Sequence, residues 1–278
     1  MKININIRGS LYDLRLPRVM GVLNITPDSF YSGSRVNSDA EILKKASGMI
    51  ESGADMLDVG AYSSRPGADN ITEKEELERL IPALALLRKE FPSVILSLDT
   101  FRSSIAETGI KHFGVDIIND ISGGLLDEKM YDIIERYNIP YVIMHMKGNP
   151  QTMHINPVYN DVLADIIKWF SERKQDLVHR GVRDIIIDPG FGFAKTIDHN
   201  FILLNKLDRF SVLELPLMVG LSRKSMIWKT LGISPDESLN GTVILNTVAL
   251  MKGASILRVH DVGEAVQAVK LLGRLKSD

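Results

Sequence analysis

Short apolar segments alternate with amphipathic ones along most of the chain, and this alternation restricts the fold more than any other feature. Eight apolar segments are typical of buried strands: RVMGVLN, ADMLDVG, VILSLDT, VDIINDI, IPYVIMH, DIIIDPG, PLMVGLS and ASILRVH. Each is followed by a segment with helical periodicity. Continuous apolar strands that alternate with helices predict a parallel sheet covered by helices. Eight such units in 278 residues predict a closed (β/α)8 barrel, the TIM barrel.

The ends of the chain and the helix starts add detail to this prediction. Thr72 and Glu75 have the spacing of a capping box, and the last helix is expected to begin after Asp261. Alternating isoleucines near the start predict a half-buried β-hairpin outside the barrel, closing its bottom. An open doubly wound sheet is the alternative, but its glycine signature is missing because Lys195 replaces the third glycine or alanine. Without a linker, residues 1–278 are interpreted as a single domain.

The composition excludes several classes of function. The net charge is −2 without a basic or acidic block, so neither nucleic acid nor an anionic membrane is an expected partner. The apolar stretches are far shorter than the roughly 18 residues of a membrane span, and the N-terminus lacks the apolar core of a signal peptide. The absence of cysteine excludes disulfides, thiolate metal sites and a cysteine nucleophile, and it fits the cytoplasmic location that we expect.

Polar residues stand at the C-terminal ends of the predicted strands. They are Asn24, Asp99, Asn119, Asp120, His145, Asp188, Ser222, Lys224, Arg258 and His260. One such residue after a strand is more often a turn former or a helix cap than a functional group. The C-terminal ends of barrel strands meet on one face, however, where barrel enzymes carry their active sites. The whole set therefore predicts a polar ligand site on that face.

The segment IIIDPGFGF, residues 185–193, ends a buried strand on an acid and continues into a glycine-rich loop. The groups expected to surround a ligand here are Asp99, Asn119, Asp188 and Lys224. They suit a flat polar heterocycle with adjacent N–H donors, because a carboxylate such as Asp188 accepts two hydrogen bonds side by side. Phe191 and Phe193 are then expected to form an apolar wall beside the ligand, with packing of both rings in the core as the alternative.

A second group of candidates is basic and consists of Arg65, Lys224, Arg258 and His260. Arg258 and His260 are two residues apart on one strand, so their side chains face the same way. A helix start follows them, and its free N–H groups favour an anion. We therefore expect phosphate to bind here, with an ion pair to a neighbouring acid as the alternative. His145, between Met144 and Met146, is interpreted as packing against the ligand or core.

The sequence contains no metal cage, and two long loops follow the first two strands. A Mg²⁺ ion that arrives with a diphosphate needs only one or two protein oxygens, and Asn24 is placed to supply one. The loops, residues 26–35 and 61–70, are small and polar, and we interpret them as lids.

The motifs together resemble the dihydropteroate synthase family. They are MGVLNITPDSF, SSRPGA, SLDTFR, INDISGG, MHMKGNP, IIDPGFGF, GLSRKS and LRVHD, and they follow the family's order from Met20 to Asp261. Members of this family join 6-hydroxymethyl-7,8-dihydropterin diphosphate to 4-aminobenzoate. They release diphosphate and form 7,8-dihydropteroate for folate biosynthesis. The resemblance implies a transferase that uses Mg²⁺ and is usually a homodimer.

The resemblance also implies a role for each matching residue. The pterin diphosphate would be bound by Asn24, Ser64, Asp99, Asn119, Asp188, Lys224, Arg258 and His260, with Asn24 also a metal ligand. The 4-aminobenzoate would contact Ser64, Arg65, Pro66, Phe193, Ser222 and Lys224. The catalytic group would be Asp99, Lys224, Arg258 and His260, which help the pterin C–O bond ionise before the aniline nitrogen attacks. Tyr62 departs from the family, which commonly has glutamate there, and Ser64 replaces a threonine.

Two other functions are compatible with a pterin pocket. A methyltetrahydrofolate-dependent corrinoid methyltransferase would share the pocket but lacks the TPDSF and SSRPGA loops and the SRKS and RVH anion sites. A pterin-binding protein without turnover could instead regulate a true synthase, although the full set of polar residues argues against it.

Overall fold

The computed structural model of the protein describes residues 4–25, 35–62, 71–148 and 157–275. Its strands are β1 (Asn4–Ile7), β2 (Ser10–Asp13), β3 (Arg18–Asn24), β4 (Met56–Gly60), β5 (Ile95–Asp99), β6 (Ile117–Asp120), β7 (Tyr141–Met144), β8 (Ile185–Asp188), β9 (Met218–Val219) and β10 (Ile256–Val259). Its α-helices are α1 (Arg35–Glu51), α2 (Glu73–Glu90), α3 (Ser103–Phe113), α4 (Met130–Tyr137), α5 (Val162–His179), α6 (Ile197–Asn205), α7 (Ser225–Leu231), α8 (Leu239–Met251) and α9 (Val262–Leu275). Within these residues no helix is both long and apolar enough to cross a bilayer.

Strands β3 to β10 form one parallel sheet that curls into a barrel. Their spatial order is β8-β7-β6-β5-β4-β3-β10-β9. The two outer strands meet at a bridge between Ile187 and Leu217, where the Ile187 N–H donates to Pro216 O at 3.0 Å. The predicted (β/α)8 barrel is confirmed, and all eight apolar segments are its strands.

Two helices begin where sequence signals predicted their starts. Thr72 is the N-cap of α2, and Glu75 completes the capping box by bonding back to the Thr72 backbone. Helix α9 begins at Val262, directly after Asp261. One repeat differs from the simple pattern, because β9 is followed by two α-helices, α7 and α8, rather than by one.

The predicted hairpin is present and packs under the barrel. Strands β1 and β2 pair antiparallel around Arg8 and Gly9, whose φ angles of 51° and 81° match a type I′ turn. Each barrel strand contributes one apolar residue to the interior layer above the hairpin: Met20, Met56, Ile95, Ile117, Val142, Ile186, Met218 and Ile256. Ile5, Ile7 and Leu14 pack against this layer. The N-terminal end of the barrel is thereby filled with apolar side chains.

A buried carboxylate holds the hairpin to the barrel. Asp116 Oδ1 accepts from Arg8 Nε at 2.6 Å, and its Oδ2 accepts from Arg88 Nη2 at 3.0 Å and from Leu96 N–H at 2.9 Å. Because Asp116 precedes β6, this ion-pair cluster lies at the bottom of the barrel. It is separated from the C-terminal strand ends by the length of the sheet.

Alternation along the strands determines which residues face the barrel interior above the apolar layer. Side chains two positions apart on a strand face the same way. Two residues beyond the apolar layer are Val22, Asp58, Ser97, Asn119, Met144, Asp188, Gly220 and Arg258. Five of these eight residues have polar side chains that can form hydrogen bonds, and the layer forms the floor of the C-terminal face.

Candidate active site

The floor of the site is organised around the carboxylate of Asp58, which is 0% exposed. Its Oδ1 accepts a hydrogen bond from Ser97 Oγ at 2.6 Å. Its Oδ2 accepts from Asn119 Nδ2 at 3.0 Å and from Arg258 Nε at 2.6 Å. Three strands besides β4 therefore supply donors to one carboxylate. The Asn119 amide is oriented as a result, because its Nδ2 is turned toward Asp58.

Arg258 bridges two carboxylates. Besides its contact with Asp58, its Nη2 donates to Asp99 Oδ2 at 2.6 Å. Burial raises the pKa of Asp99 to about 7, Arg258 opposes that rise, and the nearby charge of Asp58 adds to it. The ion pair that the sequence offered as an alternative for Arg258 is thus present. It leaves Nη1 and the guanidinium face for a ligand.

Asp188 and Lys224 form a second charged pair of the site. Asp188 is 5% exposed, and its Oδ1 accepts from Gly190 N–H at 2.8 Å. Burial raises the pKa of Asp188, and Lys224 acts against that rise. Burial also lowers the pKa of Lys224 to about 8, opposed by the charge of Asp188. The Lys224 ammonium donates to Phe191 O and lies 4.8 Å from the centroid of the Phe193 ring.

The two phenylalanines of the β8–α6 loop have different environments. Phe191 is fully buried in the main core, which contains the residues packed between barrel and helices. The prediction that it forms a ligand wall was wrong, and the alternative of core packing holds for this ring because it is 0% exposed. Phe193 is partly exposed and belongs to a separate apolar cluster with Phe101, Ile121, Met144, Met146 and Ala194. That cluster borders the polar floor.

The remaining candidates lie at the mouth of the barrel. Asn24 is the last residue of β3 and is partly exposed, and His260 is exposed just after β10. Ser222 Oγ accepts from His260 N–H at 3.3 Å and lies 3.4 Å from Asp261 Oδ2, to which it donates. Arg223 binds the same Asp261 carboxylate through Nε at 3.0 Å and Nη2 at 2.8 Å. The ends of β9 and β10 are therefore tied together beside His260.

Two polar residues at strand ends face away from the barrel interior. The His145 ring packs edge-on against Trp169 with centroids 5.2 Å apart, which makes it a core residue rather than a ligand contact. Asp120 accepts four hydrogen bonds, from Ser122 N–H, Ser122 Oγ, Gly124 N–H and Tyr141 Oη. It shapes the loop after β6 and does not reach the floor beside Asn119.

Some predictions fall on residues outside the described part of the chain. Ser64, Arg65 and Pro66 lie there, as do residues 26–34 and 63–70 of the two loops interpreted as lids. Arg35 begins α1. Tyr62 is the last described residue before the second gap, and its ring packs edge-on against Phe101 with centroids 5.0 Å apart.

Asp58 is a residue of the site that was not predicted from the sequence. Its signal was a single acid inside an otherwise apolar strand, two residues after the interior Met56. Because period-2 alternation sends both side chains inward, an acid at that position must have buried partners to offset its desolvation. Those partners come from strands far away in sequence, and a local pattern does not contain them.

Comparison with known proteins identifies the family of the chain. Residues 20–260 match the family described as pterin binding enzyme, which defines the class of the protein. The dihydropteroate synthase of Escherichia coli (strain K12) is 41% identical over 267 residues, 95% of this chain and 94% of the relative. That of Bacillus subtilis (strain 168) is 39% identical over 256 residues, covering 91% and 87%. The chain belongs to the dihydropteroate synthase family.

Solved structures of dihydropteroate synthases have the same fold as this chain. The Yersinia pestis dihydropteroate synthase in a sulfonamide drug complex aligns with a TM-score of 0.91 and 38% identity over 99% of this chain and 100% of that one. The Xanthomonas albilineans dihydropteroate synthase with 4-aminobenzoic acid aligns with a TM-score of 0.91 and 33% identity over 100% of both chains.

We expect Asp58→Asn to weaken pterin binding. The substitution removes the charge that holds Arg258 and brings an amide N–H toward donors, at a cost of about 1.5–3 kcal/mol in binding. Asp116→Asn is the matched control, because it alters a buried, hydrogen-bonded carboxylate at the other end of the barrel. Calorimetry with a pterin and urea unfolding should find both variants less stable but only Asp58→Asn defective in binding. Equal pterin affinity in the two variants would contradict this prediction.

The affinity for the pterin should fall as the pH rises above about 8, the pKa of Lys224 in the free protein. Above that pH the side chain is neutral, and a ligand that needs the ammonium must bind together with a proton, so affinity decreases by up to about tenfold per pH unit. Titrations between pH 7.5 and 9.5 should find this slope in the wild type and not in Lys224→Met. The same slope in both proteins would exclude Lys224 as its source.

Proposed function

We propose that the protein joins 6-hydroxymethyl-7,8-dihydropterin diphosphate to 4-aminobenzoate, releasing diphosphate and forming 7,8-dihydropteroate in folate biosynthesis. The observation that carries the proposal is a buried floor of carboxylates, an amide and cations in a chain 41% identical to the Escherichia coli dihydropteroate synthase. A transferase of this kind needs no covalent nucleophile, and the floor supplies hydrogen-bonding and charged groups instead.

The proposed pterin site uses the floor residues. Asp188 has lone pairs beyond the one bonded to Gly190 N–H, and they would accept the two adjacent N–H groups of the aminopyrimidine edge. Asn119 would present its carbonyl oxygen, because its Nδ2 is committed to Asp58. Lys224 would donate to the pterin's ring acceptors. Arg258 would place the flat face of its guanidinium against the pterin ring, because its hydrogen bonds to the two carboxylates use only the edge of the group.

In the proposed reaction the C–O bond to the diphosphate ionises before the new C–N bond forms. Asp99, held by Arg258, would stabilise the positive charge that develops on the pterin. The cation of Arg258 and the exposed imidazole of His260 would stabilise the leaving diphosphate, while Lys224, the fourth catalytic residue, would hold the pterin ring. The aniline nitrogen then attacks the methylene carbon and loses a proton. Exclusion of water protects the cation until this attack.

A Mg²⁺ ion fits the donors at the mouth. Among the described residues no group of three or more His, Cys, Asp or Glu side chains could hold a metal. Asn24 offers one neutral oxygen, which suits a Mg²⁺ that keeps its other ligands as waters and phosphate oxygens. The ion would neutralise charge on the leaving diphosphate.

The proposed 4-aminobenzoate site lies above the pterin. Phe193 would provide its apolar wall, and Ser222 and Lys224 would provide polar contacts. Ser64, Arg65 and Pro66 complete this proposal from outside the described residues. Location in the cytoplasm stays a prediction.

The direct test supplies the pterin diphosphate, 4-aminobenzoate and Mg²⁺, and follows dihydropteroate and diphosphate. We expect turnover by the wild type, loss of turnover on chelation with recovery on added Mg²⁺, and loss of pterin binding in Asp188→Ala. Asp116→Asn should keep its activity. Pterin binding without product would support the regulatory alternative, and methyl transfer from methyltetrahydrofolate without diphosphate release would support the corrinoid alternative.

We also propose that the protein is a homodimer through α8 and α9. Ile244 and Met251, 53% and 65% exposed, lie seven residues apart on α8, and Leu271 and Leu275, 71% and 77% exposed, lie four apart on α9. Such spacings place each pair on one helix face, and α8 packs beside α9. Neighbouring apolar faces of this kind indicate an interface with another molecule.

Sedimentation should therefore find a dimer in the wild type and a monomer in Ile244→Asp combined with Leu271→Asp. Val178→Asp is the matched control, because it changes an exposed apolar residue on α5, 52% exposed, outside the proposed interface. A dimer that survives the double substitution would exclude this interface.

A further inference from the structure

Lys195 has no part in the proposed chemistry, yet its ammonium is surrounded by acceptors. The Nζ atom lies 2.9 Å from Phe193 O, 3.0 Å from Gly190 O and 3.3 Å from His145 O. It also lies 3.1 Å from His145 Nδ1. Lys195 therefore joins the end of β7 to both halves of the β8–α6 loop.

The direction of these hydrogen bonds is determined by chemistry. As an ammonium, Lys195 has three N–H donors and no acceptor, so one hydrogen is shared among its four contacts, His145 Nδ1 accepts, and the ring proton of His145 lies on Nε2. Burial lowers the pKa of His145 to about 2, with the charge of Lys195 adding to the shift, so the ring is neutral. Burial also lowers the pKa of Lys195, and the charge of Asp188 acts against that change. Within the described part of the chain no acid pairs directly with Lys195, and backbone carbonyls hold it instead.

The loop is bent so that its carbonyls point toward two lysines. Gly190, Gly192 and Ala194 have φ angles of 71°, 80° and 49°. With a positive φ at every second residue, successive peptide groups of the loop point in different directions. A Cβ atom on Gly190 would lie 2.2 Å from His145 O, so the loop backbone rests directly on the end of β7. Phe191 O accepts from Lys224 on the interior side, whereas Gly190 O and Phe193 O accept from Lys195 on the outer side.

The same loop is bonded to the pterin-site residues. Gly190 donates its N–H to Asp188 Oδ1 at 2.8 Å and accepts from Lys195 through its carbonyl oxygen. One residue thus connects the outer ammonium to the carboxylate of the floor. If Gly190 moves, the Asp188 carboxylate loses the N–H that determines its rotation, and Lys224 loses its contact at the neighbouring Phe191.

We propose that Lys195 is a positioning residue for pterin binding, which fixes the β8–α6 loop so that Gly190 orients Asp188 and Phe191 O orients Lys224. The proposal rests on the proposed function, because it takes the pterin as the ligand of Asp188 and Lys224. Lys195 touches neither substrate. A purely structural lysine would affect folding alone, whereas a positioning residue alters affinity in a protein that remains folded.

The chain provides matched variants for the test. Lys195→Met keeps the length of the side chain and removes all four polar contacts of Nζ. Tyr159→Phe removes a single bond to the same loop, from Tyr159 Oη to Ala194 O at 2.8 Å. Lys174→Met is the control, because Lys174 Nζ donates to Leu213 O at 2.7 Å near the start of β9, at the bottom of the barrel.

The pterin affinity is measured by calorimetry on the full chain without 4-aminobenzoate, and urea unfolding is measured in parallel. We expect Lys195→Met to weaken binding about tenfold or more, Tyr159→Phe about two- to fivefold, and Lys174→Met less than about twofold. The free energy of unfolding should be lower in both lysine variants than in the wild type. Lys195→Arg should not restore affinity, because the broad guanidinium does not fit among acceptors that converge on one atom.

Wild-type affinity in folded Lys195→Met would overturn the proposal. If that variant does not fold, wild-type affinity in Tyr159→Phe would overturn it equally. A wild type that binds no pterin would instead contradict the proposed function, so the two failures are distinguishable.

Discussion

The site depends on one buried ionic contact, the pairing of Asp58 with Arg258 under the mouth of the barrel. An ionised carboxylate away from water is destabilising unless donors surround it, and Asp58 has three, from Ser97, Asn119 and Arg258. Removing one partner of such a pair is far more costly than the pair's net contribution to stability. The cluster therefore keeps its geometry before any ligand arrives, and the ligand meets groups already oriented.

The second organising element is a loop held by backbone carbonyls. Two lysines contact the carbonyl oxygens of the β8–α6 loop from its two sides. Lys195 donates to Gly190 O and Phe193 O, and Lys224 donates to Phe191 O. A peptide carbonyl cannot ionise, so this arrangement holds two cations near Asp188 without adding a further negative charge to the floor. It also explains the glycines of the DPGFGF segment, whose positive φ angles turn the carbonyls outward and inward.

Much of the fold could be predicted because it depends on local patterns. Strand and helix periodicities gave the barrel, Thr72 and Glu75 gave a helix start, and alternating isoleucines gave the hairpin. The face that carries the polar residues followed from parallel strands alone. The presence of two helices, α7 and α8, between β9 and β10 was not predicted, because helical periodicity alone does not determine how many helices connect two strands.

The finer features of the site depend on tertiary contacts that the sequence does not show. Asp58 was missed because its donors lie on other strands. Phe191 was misjudged because alternation does not continue through a loop with positive φ angles. The role of Lys195 was not predicted, because the backbone carbonyls that it contacts cannot be inferred from side-chain identity. The position of His145, by contrast, could have been predicted from the sequence. Met144 faces the barrel interior, so the alternation of side chains along a strand directs the next residue, His145, to the outside of the barrel. The local sequence thus predicts where groups lie, and the contacts between distant strands decide what they do.

The Asp58–Arg258 contact has a consequence for the folding of the chain. It joins residues 200 positions apart, and the bond from Arg258 to Asp99 joins residues 159 apart. Contacts of such sequence separation form late, because a long loop must close before they are gained. The pocket floor therefore does not exist in any partly folded intermediate that lacks β10. The chain therefore becomes able to bind a ligand only when the barrel is complete. A ligand for this floor binds only chains that have folded from the first barrel strand to the last.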